Sequence, residues 1–175
     1  NKSRYNQLEL TSGRMATVTM GDIVVGALGH RKALRGYSGH LPNELTVGDR
    51  VQMLNIGGVI GLSDSANPDV GPPFECEVLG CVFEFPFLGE RIGVPARAGS
   101  STLDSNAPLK TNGVPVVALA GTCMDSGKTA AACAIVGRLR HLGFNVAACK
   151  ATGVALRRDV LAMEDAGATE TMIFS

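Results

Sequence analysis

The segment 114–142 constrains the fold of this chain more than any other part of the sequence. A nearly continuous apolar run, residues 114–120, is followed by a loop that ends in Gly-Lys-Thr and then by an Ala-rich segment, residues 128–142. A continuous apolar run is typical of a strand buried on both faces of a parallel sheet. The Ala-rich segment predicts a helix, because it ends in basic residues and Gly143 and has one apolar stripe. That stripe consists of Ala131, Ile135, Leu139 and Leu142.

The alternation of strand and helix continues after this helix. Residues 144–149 predict a second strand, residues 155–166 a second helix that stops at Gly167, and residues 171–174 a third strand. In the second helix, Leu156, Val160 and Met163 follow one another at helical spacing. Parallel strands need crossover connections, so the pattern predicts an α/β fold, the beginning of a doubly wound parallel sheet.

The sequence before this region has a different pattern of apolar and turn-forming residues. Short β-like runs, at 15–20, 22–28, 50–55 and 75–85, are broken by Gly, Pro, Asn and Asp, which favours a small barrel or sandwich without a long helix. Residues 98–113 are small, polar and without periodicity, as expected of a linker. We therefore predict a mostly-β domain at 1–97, a linker at 98–113 and the N-terminal part of a nucleotide-binding domain at 114–175.

Charge and cysteine content limit the partners and the compartment. The 175 residues carry 16 basic and 16 acidic side chains, which argues against nucleic acid and against an anionic membrane surface as partners. The five cysteines are odd in number and irregularly spaced, unlike a disulfide framework. They predict small buried apolar groups in a cytoplasmic protein; a zinc site at Cys76 and Cys81 is the weaker alternative.

The loop itself, residues 121–129, has the composition of a phosphate-binding loop. A helix N-terminus offers unpaired N–H groups and the positive end of a dipole, Gly127 allows close backbone approach, and Lys128 supplies a point charge. The alternative is an accidental Gly-Lys-Thr at a helix start. The predicted nucleotide contacts are Gly121, Thr122, Cys123, Met124, Asp125, Ser126, Gly127, Lys128 and Thr129, with the Thr129 hydroxyl as the Mg²⁺ ligand.

This loop, Gly-Thr-Cys-Met-Asp-Ser-Gly-Lys-Thr, resembles that of dethiobiotin synthetase and related P-loop proteins, which read Gly-Thr-Asp-Thr-Glu-Val-Gly-Lys-Thr. It is one residue longer than the common Walker A spacing, and the resemblance covers only residues 114–153. Asp125 stands where that family has an acidic Glu, and Lys150 resembles the lysine of its Lys-Pro-Val segment. The resemblance implies that Lys128, Lys150 and Asp125 are catalytic, with Lys150 and Asp125 facing the reacting phosphate and the substrate. The alternative for Lys150 is a solvated strand end.

These observations predict an ATP- and Mg²⁺-binding protein, a ligase-like or hydrolytic enzyme that activates a carboxylate or similar small-molecule acceptor by phosphoryl transfer. Two other interpretations stay open: a nucleotide-dependent switch whose β domain contacts a protein partner, and a structural β domain with a vestigial loop. No base-recognition segment is visible, so the sequence does not separate ATP from other nucleoside triphosphates.

The region after residue 114 also lacks a strand that ends in a Walker B acid. We therefore expect either a fragment, or a homo-oligomer in which a partner subunit completes the sheet.

Three further features carry functional hypotheses. Asp159, Glu164 and Asp165 form a solvated helix face, or one of them binds Mg²⁺. Cys123 is a candidate redox-sensitive thiol because it lies near a helix N-terminus. The basic stretch 30–40 is a glycine-rich surface loop, or it covers a phosphate or carboxylate.

Overall fold

The computed structural model describes residues 5–33, 36–87, 89, 91–98, 108, 110–123, 126–152 and 156–173. The chain divides into two compact units, Asn1–Ala98 and Gly99–Ser175, which we call the N-terminal and the C-terminal unit. Residues 99–107 and 109 of the predicted linker lie outside the described residues, and the three predicted domain ranges stay a prediction.

The N-terminal unit is built from short strands. In its described residues these are β1 (Gln7–Glu9), β2 (Met15–Thr17), β3 (Ala27–Leu28), β4 (Tyr37–His40), β5 (Arg50–Met53), β6 (Val59–Ala66), β7 (Glu75–Glu77), β8 (Phe83–Glu84) and β9 (Val94–Pro95). A short 3₁₀ turn covers Pro68–Val70, where the Asn67 side chain accepts a hydrogen bond from the Asp69 amide. The mostly-β character predicted for this region is confirmed.

Strand β6 is the centre of a five-stranded sheet. It pairs with β3 in parallel and with β4 and β5 in antiparallel orientation, and β7 pairs with the free side of β5. The register of β4 against β6 shifts between Ser38 and Gly39. Strands β1 and β2 form a separate antiparallel pair, as do β8 and β9. The hydrogen-bonded path does not close into a ring among the described strands, so a barrel is not observed.

The core of this unit lies beside β6. Tyr37, Val51, Met53 and Leu54 are buried, and Leu54 has no exposed surface. The Tyr37 hydroxyl lies 3.3 Å from the carbonyl oxygens of Val70 and Pro72, which gives this buried O–H an acceptor.

Gly39 shows how close the packing around Leu54 is. A Cβ atom added at Gly39 would lie 2.8 Å from both Cδ atoms of Leu54 and 2.4 Å from the Leu62 carbonyl oxygen. Only glycine fits this position because the β4 backbone runs directly over the leucine side chain.

The C-terminal unit contains two helices and two strands in its described residues. These are α1 (Lys128–His141), β10 (Ala147–Lys150), α2 (Arg157–Asp165) and β11 (Glu170–Ile173). Strands β10 and β11 pair in parallel from Ala147 opposite Glu170 to Lys150 opposite Ile173, with α2 as the crossover between them. The second half of the predicted strand–helix alternation is therefore present, with bounds shifted by one to three residues.

The predicted doubly wound parallel sheet is wrong for the described residues. Residues 114–120 belong to no strand, and Val114, Val116 and Val117 are 65%, 66% and 67% exposed. An apolar run gains from burial, but a strand also needs a neighbour for its N–H and C=O groups. The described strands of this unit are two, and they pair with each other. The apolar pattern indicated a tendency to be buried without indicating a pairing partner.

The two helices lie side by side, and their C-terminal ends meet. A Cβ atom added at Gly167 would lie 2.9 Å from Cγ of Arg140, and one added at Gly137 would lie 3.5 Å from the Ala166 carbonyl oxygen. Helix α1 buries Val136, one position away from the predicted stripe, whose Leu142 is exposed. The predicted register of Leu156, Val160 and Met163 is confirmed, because all three are buried. Neither helix is long and apolar enough to cross a membrane, and no other described segment forms such a helix.

The burial of Leu54 gives a test of the N-terminal unit. Leu54→Ala leaves a cavity between β4 and β6, and we expect it to lower the free energy of unfolding by about 2–5 kcal/mol. Leu79→Ala is the matched control, because Leu79 is 61% exposed and its truncation creates no cavity. Urea denaturation followed by circular dichroism measures both. Equal stability losses in the two variants would contradict the assignment of Leu54 to the core.

Candidate functional site

The site begins at the turn that leads into α1. Gly127 has φ 82° and ψ 9°, the left-handed conformation, and directly precedes the first helical residue, Lys128. A residue with a Cβ atom is strained in this conformation, so glycine is required here by its backbone angles. Gly127 has no side chain with which to cap the helix, and no other described residue supplies a side-chain cap. The first N–H groups of α1 are therefore candidates for contact with a ligand.

An open pocket of about 300 Å³ lies at this helix start. Its lining consists of Leu119, Ala120, Gly121, Thr122, Ser126, Gly127, Lys128 and Ala131. The lining combines apolar residues with two hydroxyl groups and an ammonium group. Six of the nine predicted contact residues lie next to or within this pocket: Gly121, Thr122, Ser126, Gly127 and Lys128 line it, and Cys123 contacts Lys128.

The Lys128 side chain folds back over the loop. Its Nζ donates hydrogen bonds to the Cys123 carbonyl oxygen at 2.5 Å and to Ser126 Oγ at 3.0 Å. Gly121 permits this arrangement, since a Cβ atom there would lie 2.6 Å from Ser126 Oγ and 3.0 Å from Lys128 Cδ. The ammonium group is thus held at the mouth of the pocket by oxygen atoms of the loop itself.

Thr129, the predicted magnesium ligand, is half-buried on the first turn of α1. Mg²⁺ usually takes only one or two protein oxygens and completes its shell with phosphate and water. The hydroxyl groups of Thr122, Ser126 and Thr129 are oxygen donors of this kind, so the loop fits Mg²⁺ that arrives with a phosphate chain. No group of three or more His, Cys, Asp or Glu side chains in the described residues could hold a metal ion by itself. Met124 and Asp125 lie outside the described residues.

Lys150 stands at the end of β10 and forms an ion pair with Asp159 of α2. The two side chains are 24% and 19% exposed. Burial lowers the pKa of Lys150, and the positive charges of Arg158 and Lys128 lower it further. Lys128 and Arg158 each act on the charge of Lys150, and Asp159 is its ion-pair partner.

The solvated-face interpretation of the acidic helix residues is wrong for Asp159, whose side chain is 19% exposed and forms an ion pair with Lys150. Glu164 accepts a hydrogen bond from the Thr171 hydroxyl, and Asp165 is exposed. The signal that could have identified Asp159 was its place in the first turn of a crossover helix that follows a strand ending in lysine. Arg158, its neighbour in the same turn, was also missed.

The basic stretch 30–40 belongs to the N-terminal unit and has internal partners. The Arg31 guanidinium donates to the Leu54 carbonyl oxygen and lies 5.9 Å from the centre of the Tyr5 ring, and His40 Nδ1 lies 2.6 Å from Asp64 Oδ1. These contacts favour a structural role for Arg31. Residues 34 and 35 lie outside the described residues.

Comparison with known proteins identified no homologue of this chain. Neither a scan against protein-family models nor searches of curated proteins and of solved structures found a match to this chain. The function has to be argued from the chemistry of the site.

The lowered pKa of Lys150 predicts a pH dependence of stability. Its pKa is below its ordinary value of 10.5 in the folded protein, so the unfolded chain binds more protons in the alkaline range between the two values. The contribution of Lys150 to the free energy of unfolding therefore rises as the pH increases through the folded-state pKa and levels off above 10.5. We expect Lys150→Met to remove this rise.

Urea denaturation at a series of alkaline pH values measures the effect as the difference between wild type and Lys150→Met. Burial raises the pKa of Tyr37 and of Cys76, and their opposing contributions cancel in that difference. Identical pH slopes for the two proteins would show that the folded state does not perturb Lys150.

Proposed function

We propose that the loop 121–129 binds the phosphate chain of a nucleoside triphosphate together with Mg²⁺, and that the protein is an ATP-dependent enzyme of phosphoryl transfer. The observation that carries this proposal is the Lys128 ammonium at the mouth of a pocket that opens on the uncapped N-terminus of α1. Helix N–H groups and a lysine point charge are the two elements that phosphate recognition requires.

The reaction that fits this site is attack of an acceptor carboxylate oxygen on the terminal phosphorus. The bond from that phosphorus to the bridging oxygen breaks, and an acyl phosphate and the nucleoside diphosphate are the products. Lys128 and the first amides of α1 bind the phosphate oxygens, and Thr129 offers its hydroxyl to the metal. When bound, Mg²⁺ neutralises part of the charge on the phosphates.

Lys150 supports the same reaction from the neighbouring strand. The charge of Lys128 contributes to the lowered pKa of Lys150, and Asp159 forms an ion pair with Lys150; both support a role for Lys150 at this site. Charge that develops on the transferred group would be stabilised by Lys150. Asp125, outside the described residues, is the carboxylate that the resemblance assigns to the substrate side.

Partners and location are part of the proposal. None of the five cysteine thiols is in a disulfide, which supports a reducing compartment such as the cytoplasm. We propose a small-molecule acceptor as the second substrate, and a homo-oligomer as the functional state.

The central test is the loss of the Lys128 charge. We expect Lys128→Ala to weaken Mg-ATP binding by about 10- to 100-fold, since a hydrogen bond to a charged group contributes about 1.5–3 kcal/mol. Isothermal titration calorimetry of the full chain measures the affinity. Lys110→Ala is the matched control, because it removes an exposed lysine of the same unit. Equal affinities of the two variants for Mg-ATP would refute the proposal.

The base of the nucleotide is a separate question. A thermal-shift panel of ATP, GTP and CTP with Mg²⁺ answers it, because a ligand of the native state raises stability by mass action. The triphosphate with the largest shift at equal concentration is the preferred one.

A second function, a nucleotide-dependent switch, is favoured by the surface of the N-terminal unit. Phe83, Phe85 and Phe87 are all at least half exposed in the segment around β8, and exposed apolar groups of this size often mark protein contacts. Substrate-dependent ATP turnover by the isolated protein that is lost in Lys150→Met would favour the enzyme. Nucleotide binding without such turnover would favour the switch.

A further inference from the structure

Ser126 and Lys128, which both line the pocket at the start of α1, are in direct contact. Lys128 Nζ donates a hydrogen bond to Ser126 Oγ at 3.0 Å. Gly127, in the left-handed conformation, is the one residue between them. The loop sequence that this loop resembles has Val at the position of Ser126, and a valine side chain offers no acceptor. The contact is therefore a feature of this chain and not of the shared loop pattern.

Gly121 forms the other side of this contact. A Cβ atom there would lie 2.6 Å from Ser126 Oγ, 3.0 Å from Lys128 Cδ and 3.1 Å from Lys128 Cγ. Gly121 is not one of the glycines with a positive φ, so the close neighbours, and not its φ angle, exclude a side chain there. The hydroxyl group and the lysine side chain therefore lie together against the Gly121 backbone.

The hydrogen bonds of Lys128 determine where its remaining donor points. An ammonium group has three N–H donors at tetrahedral angles. Two of them are used, by the Cys123 carbonyl oxygen at 2.5 Å and by Ser126 Oγ at 3.0 Å. One acceptor alone would leave the ammonium group free to rotate about that hydrogen bond. Two acceptors fix the direction of the third donor, and Ser126 is the only one of the two that a side-chain substitution removes.

We propose that Ser126 is a positioning residue of the phosphate site, and that its hydroxyl group orients the Lys128 ammonium so that the third N–H donor is presented to a phosphate oxygen. The inference rests on the proposed function, and it assigns Ser126 a role that acts through Lys128 in place of a direct contact with the nucleotide. Without the hydroxyl group, the lysine side chain gains rotamers that binding must then restrict. The site keeps its charge but loses affinity.

A double-mutant cycle with Mg-ATP, measured by calorimetry on the full chain, tests this role. We expect Ser126→Ala to weaken binding about 3- to 10-fold, the cost of immobilising one flexible side chain. Ser126→Thr keeps the hydroxyl group and should restore the wild-type affinity to within about twofold. In the Lys128→Ala background, Ser126→Ala should have no further effect. Ser65→Ala is the matched control, because it removes an exposed serine hydroxyl from the N-terminal unit.

Nuclear magnetic resonance tests the contact without nucleotide. The Nζ signal of Lys128 in ¹⁵N-lysine-labelled protein, detected through the Cε protons, is assigned by its absence in Lys128→Ala. We expect Ser126→Ala to shift this signal more than Ser126→Thr does, because the alanine variant removes one of the two acceptors. An unchanged signal in Ser126→Ala would show that the hydroxyl group does not hold the ammonium group.

The outcomes separate this inference from the proposed function. If Lys128→Ala leaves the Mg-ATP affinity unchanged, the proposed function fails, and the role of Ser126 fails with it. If Lys128→Ala weakens binding but Ser126→Ala behaves like Ser65→Ala, only the role of Ser126 fails. A loss that persists in the Lys128→Ala background would mean a direct contact with the nucleotide, and tighter binding by Ser126→Ala would mean that the hydroxyl group competes with the phosphate. Either result overturns the inference.

Discussion

The ion pair between Lys150 and Asp159 connects the two elements on which the C-terminal unit depends. Strand β10 ends at the lysine, and the aspartate lies in the first turn of α2. A half-buried pair of this kind contributes little net stability, because desolvation offsets the attraction. Breaking it, however, leaves a largely buried ammonium group without its carboxylate partner. The pair therefore fixes the geometry of this end of the unit more than it stabilises the fold.

The conformation of the loop depends on contacts with residues at the start of α1. The segment before it, residues 114–120, has no strand partner among the described residues, so no sheet holds the loop from that side. Its shape is set instead by the left-handed Gly127, by the close approach of Gly121 to Ser126, and by the Lys128 hydrogen bonds. These contacts span fewer than ten residues, and the candidate pocket can thus form locally, independently of the predicted doubly wound sheet.

Local features of the fold were predictable from sequence, and pairing was not. Helix α1 follows from its alanines and its glycine stop, and the buried face of α2 follows from the spacing of Leu156, Val160 and Met163. Strand β6 was missed because its Gly-, Ser- and Asp-containing sequence is typical of a turn, although it is the centre of the sheet. Residues 114–120 were predicted to be a strand from hydrophobicity alone. In the site, the loop motif could be recognised from the sequence. Asp159 and Arg158, however, become neighbours of Lys150 only through the crossover between β10 and β11.

The hydrogen bonds of Lys128 have a consequence for selectivity. Two of the three N–H donors of its ammonium are used by a carbonyl and a hydroxyl oxygen of the loop, so an anion that takes more than one donor must displace a neutral acceptor. Small monovalent ions gain little from such an exchange, whereas a polyvalent oxyanion gains more because its charge density is higher. The loop therefore favours anions that carry more than one negative charge. Two hydrogen bonds to the loop also restrict the lysine side chain, which lowers the conformational entropy that binding costs.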